Sequence, residues 1–126
     1  MEDKYILLNL RDELYRVKLS TIVCFEAQGN YTSFVLRNKL KGTVCVNLGR
    51  VRDMLVKDLG SGASMFIRIG RRYIINREYI YNIQIAKRRL VLSDGATFAF
   101  QLTVSGVALR QLKDVLVSGL TAAARK

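Results

Sequence analysis

Short apolar stretches separated by turn-forming residues recur along most of the chain, and this pattern constrains the fold more than any other feature. Such stretches are typical of strands, and the glycine, asparagine and aspartate between them are typical of tight turns. We therefore expect a mainly β, antiparallel protein of about ten short strands. The predicted strands are Tyr5–Leu10, Glu13–Leu19, Ile22–Ala27, Tyr31–Arg37, Gly42–Val46, Met65–Ile69, Tyr73–Ile75, Ile80–Ala86, Arg89–Leu92 and Thr97–Leu102.

Two segments have helical spacing instead. The first has an apolar stripe after Asn47, a suitable N-cap, and the second has a stripe with polar residues on its far side. We expect both stripes to face the core. Their residues are Leu48, Val51, Leu55 and Leu59 in the first segment, and Val104, Ala108, Leu112, Val115 and Leu116 in the second. This leaves no room for a helix-turn-helix, which needs contiguous helices.

The length of 126 residues, half of them hydrophobic, fits one domain with a real core. We place that domain at residues 1–118 and expect a flexible basic tail at 119–126. No apolar stretch is long enough to span a membrane, and the charged start lacks the apolar core of a secretory signal. We therefore expect a cytoplasmic protein with no membrane partner.

The chain has no histidine, which removes the commonest general base and most transition-metal sites. Cys24 and Cys45 lie in apolar runs; a disulfide or metal site remains open, but free buried thiols are the better interpretation. The acidic residues are scattered. The sequence therefore predicts a protein that is not an enzyme and binds no cofactor or metal.

Basic charge is concentrated in the middle of the chain. The net charge is +11, and residues 66–90 carry seven basic side chains and one acidic one, a local net charge of +6. Such a concentration is the electrostatic feature expected of a protein that binds a polyanion, although it also fits a solvated surface. Arginine outnumbers lysine there, and its planar guanidinium suits phosphate and guanine.

Three stretches resemble the LytTR family of bacterial DNA-binding domains, in the family's order and spacing. The first ends in Glu26-Ala-Gln-Gly-Asn-Tyr31, and the second is Phe66-Ile-Arg-Ile-Gly-Arg-Arg-Tyr-Ile-Ile-Asn76. The third is Leu92-Ser-Asp-Gly95, followed by Val104-Ser105. The resemblance extends from about Tyr5 to Leu116. It implies an elongated β fold whose loops enter successive major grooves of DNA, as in response regulators of two-component systems.

The resemblance also implies candidate DNA-binding residues. Asn30 corresponds to a base-contacting turn and suits adenine, but Gly29-Asn30 is equally well interpreted as a turn alone. Tyr31 beside it is interpreted as a core or platform residue rather than a base-stacking one. Arg71 corresponds to a second contact loop, with Arg72 beside it, and Arg71 suits either guanine or a phosphate. Arg68 is interpreted as a phosphate-binding or structural residue. Asn76 is interpreted as a cap or turn residue.

A third contact region is implied at Ser105 and the start of the final helix, but the sequence departs from the family there. Gly106 and Val107 stand where the family has arginine, and Arg110 is a substitute from the next helical turn. Gly70 replaces the family's usual histidine, and Arg72 its usual serine. These departures leave the target sequence open.

The main hypothesis is therefore sequence-specific binding of double-stranded DNA in transcriptional regulation. The resemblance implies paired repeats in the DNA, which favours a homodimer on repeated sites. No receiver-like region precedes the module, so it is interpreted either as a piece of a longer protein or as an output domain alone, regulated by a partner protein, a neighbouring gene product or its own dimerisation. The alternative is a protein-interaction module, or one that binds an anionic surface, with the same fold. RNA binding ranks third, because the paired aromatic platform of common single-strand binders is missing.

Overall fold

The computed structural model describes the backbone of residues 4–124 and the side chains of residues 4–60 and 62–118. Within these residues there are ten strands and two helices, which confirms the expected mainly β fold. Their bounds are β1 (Tyr5–Asn9), β2 (Leu14–Lys18), β3 (Ile22–Gln28), β4 (Tyr31–Leu36), β5 (Lys41–Val44), α1 (Leu48–Leu59), β6 (Phe66–Ile69), β7 (Tyr73–Asn76), β8 (Ile80–Gln84), β9 (Arg89–Ser93), β10 (Ala99–Thr103) and α2 (Gly106–Ala124).

The strands form three antiparallel sheets. β1 and β2 form a hairpin, and the central sheet has the order β5-β4-β3-β7-β6. The third sheet has the order β10-β9-β8. Because side chains alternate between the two faces of a strand, the central sheet can bury residues on both sides.

One face of the central sheet packs against α1 and the β1–β2 hairpin. Phe25 and Ile74 of the sheet meet Val51 and Leu55 of α1 in one buried cluster, with Ile6 of β1. Burying each such side chain contributes about 1.5–3 kcal/mol. This layer holds the central sheet in place on the side away from α2.

The opposite face packs against α2 and the third sheet. Val23 and Ile75 of the central sheet share a second cluster with Leu90, Leu92 and Leu109. The central sheet is thus the middle layer of the domain, and each of its ends carries connecting turns.

The prediction for the first helix is confirmed in both its cap and its buried stripe. The Asn47 side chain accepts a hydrogen bond from the Arg50 amide at 2.8 Å, and Leu48, Val51 and Leu55 are buried. Asn76 is also a cap, as expected: its side chain accepts a hydrogen bond from the Glu78 amide.

The apolar stripe predicted for α2 is wrong at one position. Val115 is 56% exposed, whereas Leu109, which was not included in the stripe, is completely buried. The helix turns Leu109 and Leu112 toward the third sheet and the central sheet, and this direction leaves Val115 near the solvent side. Helical spacing alone was compatible with burial of either Leu109 or Val115.

The two cysteines are both free thiols, but only one is buried. Cys24 is buried and Cys45 is exposed, which corrects the expectation of two buried thiols. Burial, with a smaller effect from Glu26, raises the pKa of Cys24 to about 12. Cys24 is therefore an unreactive core residue.

The segment 119–126, expected to be a flexible tail, overlaps the last helix. α2 continues to Ala124, and residues 125–126 lie outside the described part of the chain. The division at residue 118 stays a prediction.

Candidate nucleic-acid interface

The first candidate loop, turn A (residues 29–30), joins β3 and β4. Gln28 pairs with Tyr31, so Gly29 and Asn30 form a two-residue hairpin connection. Gly29 has φ 63, a conformation that glycine adopts without steric cost. Asn30 is exposed, and Tyr31 is half exposed rather than part of the core. Both side chains therefore lie at the surface.

The second candidate loop, turn B (residues 70–72), joins β6 and β7. Ile69 pairs with Tyr73, which leaves Gly70, Arg71 and Arg72 as the connection. Gly70 has φ 59, so the residue that departs from the family pattern adopts a left-handed conformation here. Arg71 and Arg72 are both exposed. Turn B thus presents two guanidinium groups to solvent.

Turns A and B lie at the same end of the central sheet. The register places Glu26 of β3 opposite Tyr73 of β7. One residue further along, the Ala27 amide donates a hydrogen bond of 2.8 Å to the Arg72 carbonyl. Because β3 runs into turn A and β7 leaves turn B, this pairing fixes the two turns side by side.

The Arg72 guanidinium is held at the surface by an ion pair. Its Nη2 lies 2.9 Å from Oε2 of Glu26, and its Nε donates to the same oxygen at 3.0 Å. Burial and the nearby Glu26 carboxylate raise the pKa of Tyr73, while Arg72 lowers it. The Tyr73 phenol is therefore neutral at physiological pH.

The Arg68 side chain supports turn B and remains exposed. Its Nη2 donates to the Arg71 carbonyl at 3.4 Å, and its Nη1 lies 3.9 Å from where a Cβ on Gly49 would stand. Arg68 therefore lies between turn B and the first turn of α1. Both interpretations of Arg68, structural and phosphate-binding, are compatible with this position.

The third candidate region is the start of α2. The Ser105 Oγ accepts a hydrogen bond from the Ala108 amide at 3.2 Å, as an N-cap residue does. Arg110 is exposed, one helical turn after Gly106. Gly70 of turn B lines a shallow cleft with Ala108 of α2. α2 is therefore adjacent to turn B through Ala108, although neither Ser105 nor Arg110 lines this cleft.

The described residues contain neither a metal-binding group nor a membrane-spanning helix. No cluster of three or more potential metal ligands is found among them, and none of their helices is long and apolar enough to cross a membrane. The exposed polar groups at the end of the central sheet are the main chemical feature of the structure.

Comparison with protein families gives a match over most of the chain. The model of the LytTr DNA-binding domain matches residues 12–117. The chain belongs to the LytTR family. The LytTR fold is also found in a solved structure, described as the LytTr DNA-binding domain of a methyl-accepting/DNA response regulator from Bacillus cereus. The two chains are 24% identical with a TM-score of 0.59, and the match covers 89% of this chain and 95% of that chain. A comparison with curated proteins gives no match.

In this LytTR domain, five of the seven sequence-predicted residues lie in one connected region. Asn30, Tyr31, Arg71 and Arg72 lie on two turns joined by a backbone hydrogen bond, and Arg68 supports one of them. Ser105 and Arg110 lie at the start of α2, outside this connected set, and the helix reaches turn B through Ala108.

Sequence reasoning gave no role to two features of this LytTR domain. Glu26 belongs to the first family motif, yet its pairing with Arg72 depends on strands separated along the chain. Lys87 and Arg88 belong to the basic segment 66–90 but lie outside the three family-like stretches. The local net charge of +6 over residues 66–90 was the sequence feature that could have indicated a role for Lys87 and Arg88.

Proposed function

We propose that this LytTR domain binds double-stranded DNA sequence-specifically through turn A, turn B and the start of α2, and thereby regulates transcription. The observation that carries the proposal is the position of Asn30 and Arg71. Both are exposed at the same end of a rigid sheet, on turns joined by the Ala27–Arg72 hydrogen bond. Two polar side chains fixed in this way suit recognition of base edges in a groove.

Each exposed residue has a role suited to its chemistry. Arg71 binds guanine through two parallel hydrogen bonds, and Asn30 pairs with adenine. Arg68 and Arg72 neutralise phosphates, which supply most of the affinity and make it dependent on salt. Ser105 and Arg110 contact the backbone near the start of α2, and Tyr31 packs beside turn A at the DNA surface.

The proposal extends to catalysis, location, oligomeric state and regulation. The domain acts without catalysis, cofactor or metal, in the bacterial cytoplasm. It binds repeated half-sites as a homodimer and is controlled by a regulatory partner protein. Family membership supports the DNA-binding role, and the lack of histidine, the commonest general base, supports the absence of catalysis.

The test is selection of bound sequences from random duplex DNA, followed by footprinting. We expect enrichment of a motif repeated at helical-turn spacing. Arg71→Ala should then weaken binding to the selected sequence by about 1–3 kcal/mol and relax preference at one base position. Arg52→Ala, an exposed arginine of α1, is the matched control.

Two outcomes would reject the proposal. One is the absence of any enriched sequence at about 150 mM salt, a concentration at which non-specific polyanion binding is weak. The other is an Arg71→Ala variant that binds like the parent. Binding to anionic vesicles with no duplex selectivity would instead support an anionic-surface module.

A further inference from the structure

A third exposed turn carries basic side chains that the proposed function leaves unused. Turn C (residues 85–88) joins β8 and β9 and includes Lys87 and Arg88, and Arg89 follows it at the start of β9. Lys87 and Arg88 are exposed, and Arg89 is partly buried. Among the described side chains, the ion pair that is observed joins Arg72 to Glu26. Lys87, Arg88 and Arg89 therefore have no carboxylate partner among these side chains.

Turn C is fixed by backbone hydrogen bonds. The Arg88 amide donates to the Ile85 carbonyl at 3.0 Å, which closes the turn. Arg88 has φ 52, a left-handed conformation that is uncommon for arginine. The Arg88 carbonyl in turn accepts a hydrogen bond of 3.0 Å from the Val104 amide, immediately before Ser105. The backbone of turn C is therefore joined to the segment that begins α2.

A second contact joins turn C to α2 on the side of Gly106. A Cβ placed on Gly106 would lie 3.9 Å from both Cγ2 and the carbonyl oxygen of Ile85. Arg110 lies one turn further along the same helical face, because residues four apart are neighbours on a helix. An arginine at position 106, as in the family pattern, would project toward turn C.

Turn C is linked to the other candidate loops through neighbouring elements. Turn C adjoins the start of α2 through Val104, and the first half of α2 adjoins turn B through the cleft between Ala108 and Gly70. Turn B is joined to turn A through Ala27 and Arg72. Turn C is thus linked to turn B through α2, and its backbone is bonded to the segment that begins this helix, which is part of the proposed interface.

We propose that turn C is an additional DNA-backbone site, in which Lys87 and Arg88 bind phosphates and replace the arginine that the chain lacks after Ser105. This inference rests on the proposed function and extends the interface beyond the residues that the family motifs indicate. Lysine is a flexible point charge suited to a phosphate and carries no geometry for a specific base. Arginine also binds phosphate, and with both side chains on phosphates the site adds affinity without adding sequence preference.

The test compares two double variants with the same loss of charge. Lys87→Gln/Arg88→Asn removes the cations of turn C, and asparagine tolerates the left-handed conformation of residue 88. The control is Lys41→Gln/Lys57→Gln. Both control lysines are exposed; Lys41 pairs with Val35, away from turn A, and Lys57 is in the last turn of α1. Binding of the full chain to selected and random duplexes is measured between about 50 and 200 mM salt.

The turn C variant should bind both duplexes roughly tenfold more weakly than the control. Its slope of log K against log salt should also be less negative by about 1–2, because fewer phosphates are neutralised. Equal affinities and slopes in the two variants would overturn the proposal. A loss confined to the selected sequence would also overturn it, because it would indicate base recognition.

These measurements distinguish failure of the turn C site from failure of the proposed DNA-binding function. If Arg71→Ala relaxes preference at one base position while the turn C variant matches its control, the proposed function stands and only turn C is rejected. Thermal unfolding verifies that the double variant folds. If the double variant does not fold, the single variant Lys87→Gln is compared with Lys57→Gln instead. Its slope of log K against log salt should be less negative by about 1.

Discussion

Arg72 is attached to β3 twice, once by its side chain and once by its backbone. Its guanidinium Nη2 lies 2.9 Å from Oε2 of Glu26, and its carbonyl accepts a hydrogen bond of 2.8 Å from the amide of Ala27, the next residue. Glu26 is thus an acidic group placed within a surface that otherwise favours phosphate. The pair limits how freely Arg72 can neutralise DNA.

Glu26→Gln should therefore strengthen non-specific binding. We expect affinity for random duplex DNA to rise roughly threefold to tenfold, because a carboxylate that repels phosphate is removed and Arg72 is released. The preference for the selected sequence over random DNA should fall. Fluorescence anisotropy with both duplexes measures this change.

The control for that prediction is Glu26→Asp, which retains the charge and should bind random DNA like the parent. The Arg72 and Glu26 side chains are 63% and 27% exposed. Breaking a pair at this exposure should change the free energy of unfolding by no more than about 1 kcal/mol. Weaker binding of Glu26→Gln to both duplexes would contradict the prediction.

Gly42 permits close packing of the Phe34 ring across the β4–β5 pair. A Cβ on Gly42 would lie 2.6 Å from Cε2 of Phe34, and Phe34 is buried in the core beside Tyr15. Gly42→Ala should lower the free energy of unfolding by about 1–3 kcal/mol, because the ring must shift within a packed cluster. Urea denaturation measures the loss.

Gly62→Ala is the matched control for Gly42. Its Cβ would lie 3.6 Å from Cβ of Leu59, an ordinary van der Waals contact. This variant should leave the free energy of unfolding within about 0.5 kcal/mol of the parent. Similar losses in the two variants would show that contact with Phe34 is not the cause.

Asp94 should make stability depend on pH in the acid range. Hydrogen bonds from the Thr97 hydroxyl and from the amides of Ala96, Thr97 and Phe98 lower the pKa of this carboxyl well below its usual range. A lowered folded-state pKa stabilises the fold above the unfolded-state pKa of about 3.9. That stabilisation is lost as the pH falls from there through the folded-state pKa.

Asp94→Asn should accordingly be less stable than the parent at neutral pH, and the difference should shrink below about pH 4. Chemical denaturation at several pH values between neutral and acid conditions measures it. Asp53→Asn, which removes an exposed carboxylate of α1, controls for the loss of one negative charge. A difference that stayed constant with pH would assign the effect to packing instead.

Local patterns in the sequence predicted much of the fold. Asn47 before the stripe of Leu48, Val51 and Leu55 indicated α1, because capping and helical spacing act within a few residues. The two-residue hairpin at Gly29 was predictable for the same reason. α2 was less certain, since Leu109 and Val115 are both apolar and only the neighbouring sheets select which is buried.

The candidate site was predicted in its residues but not in its arrangement. Arg71 and Asn30 were identified from motifs, whereas their proximity arises from the pairing of β3 with β7. The sequence named Arg110 as the substitute for the missing arginine after Ser105. The hydrogen bond between Val104 and Arg88 shows a second basic segment adjacent to the same position.

The amino-acid sequence by itself determined the strands, the turns, the caps and the concentration of arginine, because these depend on neighbours along the chain. Tertiary structure decided which turns share a surface, which arginine is paired with a carboxylate and which basic turn adjoins the last helix. These relations depend on hydrogen bonds and contacts between residues far apart in the chain, and such contacts form only when the sheets pair and pack.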